Sequence, residues 1–204
     1  MGCMSMINRA SKLILQYLLK KGVINDSSDE KEYYQYGIEI TISSLLNIIL
    51  IVGIGILFCN VIESIIFLMC FVLIRQFTGG FHADTYLKCN CLFCVSFIAV
   101  LIMYNTTFDK INIWCSVAIS VLCTAIIIVN CPIEHVNKPI PKCKRKFHKS
   151  VATLLSIIYG TVGTVMVTIS NKYGVLVLYT LVLVTVLIIC ATAKGRGCKY
   201  AEEQ

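Results

Sequence analysis

Charge is what this sequence has least of. Asp, Glu, Lys and Arg make up 14% of its 204 residues, where a soluble globular domain carries about 25%. With 57% hydrophobic residues and a mean hydropathy of +0.81, the composition excludes a water-soluble fold and indicates an integral membrane protein. A cleavable signal peptide is not expected, because the chain does not start with the short basic segment and apolar core that one requires. The Met1-Gly2-Cys3 start also misses the myristoylation pattern, which wants Ser or Thr where Met6 stands. Proline is confined to a single stretch, Cys131 to Lys149, which is also the most basic. Cysteine is the exception to this scarcity. Five of the twelve lie inside apolar runs (Cys59, Cys70, Cys115, Cys123, Cys190), where the thiol behaves as a small hydrophobe, so their number says little about function.

What is present is a series of long apolar runs. Residues 7–24 place Arg9, Lys12, Gln16 and Lys20 opposite Ile7, Ala10, Leu13, Ile14, Tyr17 and Leu18. This is a basic amphipathic helix, suited either to an anionic lipid interface or to packing on the rest of the protein. Asn25 to Glu32 reads as an acidic, solvated loop. Six spans come next, at about Tyr36–Cys59, Ile65–Ile74 (extended at both ends), Leu87–Tyr104, Trp114–Val129, Val151–Ile169 and Tyr173–Ala191, since roughly 20 apolar residues cross a bilayer. Asn60 and Glu63 mark a tight turn between the first two. The expected fold is all-α: a polytopic membrane protein with about six transmembrane helices plus an N-terminal amphipathic interfacial helix. It forms a single integral membrane domain over residues 1–204, with helix and linker at 1–32, the bundle at 36–191 and a basic tail at 192–204.

Six spans put both termini on one side. If that side is cytoplasmic, only Lys110 and Lys172 of the 18 Lys and Arg residues fall on the other. The positive-inside rule demands this asymmetry, which predicts a multi-pass cell-membrane protein with cytoplasmic termini.

One polar interval stands out, Arg75 to Cys94, reading RQFTGGFHADTYLKCNCLFC. The predicted topology puts it at the cytoplasmic face, where a thiol stays reduced. His82 and Cys89 form a candidate base and nucleophile. On a straight helix their spacing would separate the Cα atoms by about 10.5 Å, too far for a hydrogen bond. Thr78-Gly79-Gly80 offers a bend, because paired glycines weaken a helix and admit positive φ. The second span should therefore end near Phe77, and Cys89 should open the third, where the helix dipole favours a thiolate. The plainer reading leaves His82 as a loop residue and Cys89 as one cysteine among many. A metal site of His82, Cys89, Cys91 and Cys94 is disfavoured, since C-x-C-x2-C on a helix does not converge on one point. Arg75 would either snorkel to lipid phosphate or bind a carboxylate, and Glu39 could face it. Asp84, His135 and His148 read as solvated loop residues.

These residues resemble a family. R-x4-G-x-H-x6-C, here Arg75, Gly80, His82 and Cys89, comes after the second apolar run as it does in the accessory gene regulator B (AgrB) family of quorum-sensing peptide processors. Lys138-Pro139-Ile140-Pro141 with Lys144, Arg145 and Lys146 is similar to the family's K-P-I-P segment. Gly37-x-Glu39 falls where the family carries Gln or Glu in its first span. The resemblance implies a membrane cysteine endopeptidase that acts on an AgrD-like propeptide, with Cys89 forming an acyl-enzyme thioester and His82 serving as base. It also implies release of the C-terminal tail and then closure of a thiolactone or lactone ring. Arg75, Gly80, Glu39, Lys138, Lys144, Arg145 and Lys146 would bind substrate or support the site. The additional Cys91 and Cys94 leave open which thiol reacts, although spacing from His82 favours Cys89. No cofactor, metal or nucleic acid is expected; the partners are the propeptide and membrane lipid, with a homodimer allowed. The alternative is a small six-span transporter or lipid-binding protein whose polar pathway is lined by Arg75, His82 and Glu39.

Overall fold

A computed structural model of the protein describes residues 2–22, 28–79, 86–133 and 142–193. Seven helices run through them: α1 (Gly2–Lys20), α2 (Ser28–Leu57), α3 (Val61–Thr78), α4 (Tyr86–Thr107), α5 (Ile113–Asn130), α6 (Lys142–Thr168) and α7 (Tyr173–Ala193). Helices α2 to α7 each contain a segment long and apolar enough to cross a membrane. Helices answer the demand of hydrocarbon, where each backbone N–H and C=O must find its partner within the protein.

Two boundaries correct the expectations. The acidic run read as a loop is already helical from Ser28, because acidic residues suit a helix N-terminus. The basic stretch read as loop to Lys149 is helical from Lys142, directly after Pro141, a residue well suited to a helix start.

Contacts divide the chain into two compact units, residues 1–54 with 83–95, and residues 55–82 with 96–204. In the first, Ile7, Ser11 and Leu15 of α1 are buried, whereas Leu13, Ile14 and Tyr17 of the expected apolar face are exposed. The buried stripe is centred on a serine because a carboxylate there needs donors: Ser11 Oγ donates to Glu39 Oε1 of α2 at 3.1 Å. The exposed side keeps Arg9 and Lys12 beside the apolar residues, the pattern of a helix lying on a lipid surface. Ser43 Oγ of α2 donates to Asn90 Oδ1 of α4 at 3.0 Å, a polar tie between helices of the kind membrane proteins use.

In the second unit α7 is the hub, with Val175, Leu176, Leu178, Leu181, Val184 and Ile188 all buried, as befits a helix apolar on every side. Small residues bring its neighbours close. A Cβ on Gly163 of α6 would meet Leu178 Cγ at 2.8 Å, and one on Gly160 would collide with Ser120 of α5. Phe67 of α3 packs its ring 4.8 Å from that of Phe97 on α4.

Glu63, expected in a turn, lies in the first turn of α3 and is buried. Burial there requires partners. Lys172 Nζ, from the turn between α6 and α7, stands 3.2 Å from its carboxylate, and the Tyr104 hydroxyl of α4 donates to it at 3.4 Å. The Lys172 amine has its pKa raised above the ordinary 10.5, chiefly by its hydrogen bond to Glu63, with attraction from Tyr104 and Glu63 adding to it. A raised amine stabilises the fold fully below the unfolded value, and that contribution disappears as pH climbs through the folded one. The stability gap between the protein and its Glu63→Gln variant should therefore stay constant from pH 7 to about 10 and shrink above the lysine range. Thermal unfolding in detergent measures this, and a gap unchanged at the most alkaline pH would contradict it.

Candidate functional site

Helix α3 ends at a built corner. The Gly79 N–H donates to the Arg75 carbonyl at 3.2 Å, while Arg75 Nη1 turns back to donate to the Gly79 carbonyl. Thr78 Oγ1 adds a donation to the same carbonyl at 3.3 Å. Gly79 has φ 67° and ψ −145°, a region essentially restricted to glycine. Next to it the Ile133 N–H, just beyond α5, donates to the Thr78 carbonyl at 2.9 Å, and Gly79 and Ile133 pair as a single parallel bridge. The helix stops here because its terminal carbonyls have found other donors.

The corner is lined with positive charge. Cys131, buried beside it, has its thiol pushed up to about 12 by burial, against the pull of Arg75 and Lys149. Both cations therefore act on the same sulfur, Arg75 from α3 and Lys149 from α6. Phe77 places its ring 6.3 Å from Phe147 and 5.6 Å from His148. His148, expected to be solvated, is half-buried, and its Nδ1 has no hydrogen-bond partner among the described residues; the helical start of α6 turns it onto Phe77. Lys144 and Lys146 are exposed on the same helix, and Arg145 is half-buried. Arg75 thus shares one unit with the basic start of α6.

Cys89 lies in the first turns of α4, in the other unit, and is half-buried. Its neighbour Asn90 is buried and faces Ser43; Cys91 is exposed and Cys94 half-buried, and all three cysteines are free. Helix α3 stops at Thr78, and Gly79 with φ 67° cannot continue it, so residues 73–94 do not form one continuous helix. Glu39, expected to face Arg75, accepts from Asn8 Nδ2 at 3.3 Å, Ser11 Oγ at 3.1 Å and Gln35 Nε2 at 3.0 Å. Gly80, His82, Asp84, His135 and Lys138 lie outside the described residues.

Among the described residues no group of three His, Cys, Asp or Glu side chains could hold a metal ion. A cavity of about 310 Å³ opens at the opposite end of the second unit, lined by Phe108, Asp109, Ile111, Val167, Asn171 and Lys172, among others. It holds none of the expected site residues. Sequence reasoning missed the partnership of Thr78 and Gly79 with Ile133, a contact between distant parts of the chain with no motif to announce it, and the influence of Arg75 on the buried Cys131. The buried Glu63 did have a signal, an acid flanking an apolar run with only two lysines, Lys110 and Lys172, on the same predicted side.

The fold defines a polytopic all-α membrane protein with basic residues at the end of α3 and in the first turns of α6. A family model for accessory gene regulator B matches residues 11–191. The chain belongs to that family and so has a role in the accessory gene regulator system. Relatives named as AgrB-like proteins occur in Clostridium perfringens. One, from strain SM101 (Type A), is 29% identical over 159 residues, covering 74% of this chain and 73% of its own. Another, AgrB-like protein 2 of strain 13 (Type A), is 28% identical over the same shares. No solved structure matches the chain.

Two of the three donors on this carboxylate oxygen, Asn8 and Ser11, come from α1 and make Glu39 its anchor. Glu39→Ala should release α1 while leaving the spans folded, raising amide exchange across Gly2–Lys20 by about tenfold or more, since hydrogen bonds to a charged acceptor are strong. Unchanged exchange in α1 would remove this role.

Proposed function

We propose that the protein is a membrane cysteine endopeptidase and cyclase acting on an AgrD-like propeptide, with Cys89 as nucleophile and His82 as general base. The observation that supports the reading is the end of α3 at Gly79, whose φ of 67° and ψ of −145° cannot continue a helix, so that the two residues are not bound to the separation that one straight helix would impose. Family membership supports it independently.

In the first step His82 takes the Cys89 proton and the sulfur attacks the carbonyl carbon where the signal core meets the acidic tail. The new S–C bond forms, the C–N bond breaks, and the proton passes from His82 to the departing amine of the tail. A thiol or hydroxyl within the peptide then attacks the thioester carbonyl. A ring-closing S–C or O–C bond forms as the Cys89 sulfur leaves and regains a proton. Exclusion of water near the membrane favours this closure over hydrolysis.

Arg75, Lys138, Lys144, Arg145 and Lys146 attract the acidic tail, and the exposure of Lys144 and Lys146 on α6 suits that task. Glu39 and Gly80 support the site, Glu39 by holding α1 at the lipid surface. The lysine and arginine asymmetry supports a cell-membrane location with cytoplasmic termini and a cytoplasmic active site. A homodimer is compatible with this arrangement. The transporter reading finds less support. Thr180, Thr185, Ser156 and Ser116 already donate their hydroxyl protons to carbonyls of their own helices.

Cys89→Ala should abolish tail release from a co-expressed propeptide, a loss on the order of 1,000-fold or more, while the protein still inserts in the membrane. Cys91→Ala and Cys94→Ala should keep activity within about threefold. Tail release by Cys89→Ala at an undiminished rate would end the peptidase assignment. Reversing charge at Lys144, Arg145 and Lys146 together should raise KM for a propeptide with its acidic tail, and unchanged KM would remove tail recognition from α6.

A further inference from the structure

Helix α2 carries a row of polar residues through an apolar span. Gln35, Glu39, Ser43 and Asn47 recur every fourth residue, which aligns them on one side of the helix over about 18 Å. All four lie within the segment long and apolar enough to cross a membrane. The first three have partners. Gln35 Nε2 donates to Glu39, as do Asn8 and Ser11 of α1, and the buried Ser43 donates to Asn90 Oδ1 of α4 at 3.0 Å. Around that last tie two buried polar atoms are left over. Asn90 is only 3% exposed, yet its Nδ2 has no hydrogen-bond partner among the described residues. The buried Oδ1 of Asn47, one turn along from Ser43, has none either.

Unpaired amide atoms are costly in an apolar surrounding, so their retention calls for a physical reason. We infer that Asn90 and Asn47 form a subsite for the main chain of the peptide substrate, with Asn90 Nδ2 donating to a carbonyl and Asn47 Oδ1 accepting from an N–H. The inference rests on the peptidase reading and deepens it by naming which part of the substrate is held beside Cys89. One orphan is a donor and the other an acceptor, which matches the two groups of a peptide main chain. A peptide drawn to the membrane needs such partners, because hydrocarbon supplies none. The Ser43 hydroxyl fixes the orientation of the Asn90 amide by donating to its oxygen, and this leaves the Nδ2 hydrogens for another acceptor. Asn90 directly follows Cys89 in the chain, so the subsite adjoins the proposed nucleophile. Entry does not require a tight interface to be unpacked. Backbone contact between α2 and α4 is sparse, unlike that among α5, α6 and α7, and Asn47 is half-buried with a soft terminal torsion.

Binding tests the subsite apart from turnover. Full-length Cys89→Ala protein in lipid nanodiscs would be titrated with a fluorescent synthetic AgrD-like propeptide. Adding Asn47→Leu should weaken Kd about tenfold, the loss of one buried hydrogen bond. Adding Asn90→Leu together with Ser43→Ala, which removes the donor and its tie as a pair, should weaken it by a similar factor. The two changes remove separate hydrogen bonds, so either decides the matter if the other protein does not insert. Propeptides in which one core amide at a time is replaced by an ester, which lacks the N–H, separate a direct contact from damage to the fold. At one position the ester should cost about tenfold with Asn47 present and less than about twofold with Asn47→Leu. The inference is overturned if an inserted variant keeps Kd within about twofold, as it would if a buried water satisfied both amides. It is equally overturned if every ester costs the same in both proteins. Tail release by Cys89→Ala at an undiminished rate would instead end the peptidase reading, so the two failures are distinguishable.

Discussion

A helix that ends at a membrane surface leaves its last carbonyls without partners, and nearby hydrocarbon gives them none. The way α3 meets this shortage shapes its whole end of the second unit. Its terminal groups are taken up by the Arg75 guanidinium, by the amide of Gly79 and by the amide of Ile133. The solution requires a glycine, an arginine one turn earlier and a strand-like residue from the end of α5. It also fixes a point at which a transmembrane helix gives way to the segment holding the proposed base. Arg75, which sequence logic assigns to a substrate carboxylate, has a structural task in this arrangement. The same guanidinium also acts on the buried Cys131 thiol, in company with Lys149.

The two ends of the second unit manage charge differently. At the α3 C-terminus positive groups gather from α3 and α6, and they are partly exposed. At the other end the buried Glu63 is neutralised by Lys172 and the Tyr104 hydroxyl, so a potentially costly carboxylate is turned into a tie among α3, α4 and the α6–α7 turn. In the first unit Glu39 has a comparable role, drawing α1 onto α2 through Asn8 and Ser11. In each case the ionisable group within a span serves to hold helices together, which accounts for its presence without assigning it chemistry.

The number and order of the spans are legible in the sequence because apolar length is a strong and local signal. The end of α3 near Phe77 is legible for the same kind of reason, since Thr78-Gly79-Gly80 weakens a helix whatever surrounds it. Helix starts are harder. Ser28 and Lys142 begin helices inside charged stretches, where composition resembles that of a loop and only capping and packing distinguish the two. The face of α1 is hidden too: periodicity selects Leu13 and Tyr17, yet Ser11 is buried because Glu39, far along the chain, needs its hydroxyl. His148 escapes a local reading because nothing nearby in the chain reveals that Phe77 lies beside it. Motif spacing points to Cys89, but Ile133 carries no motif, since its contribution is a backbone N–H common to nearly every residue type.

The most direct test is to trap the covalent intermediate. The full-length protein would be incubated with a propeptide whose ring-closing thiol or hydroxyl is replaced, then quenched in acid, digested and analysed by mass spectrometry. The account predicts a hydroxylamine-sensitive adduct with the mass of the propeptide lacking its tail, located on the fragment that contains Cys89. Tail release without any adduct, or an adduct on Cys91 or Cys94, would contradict it.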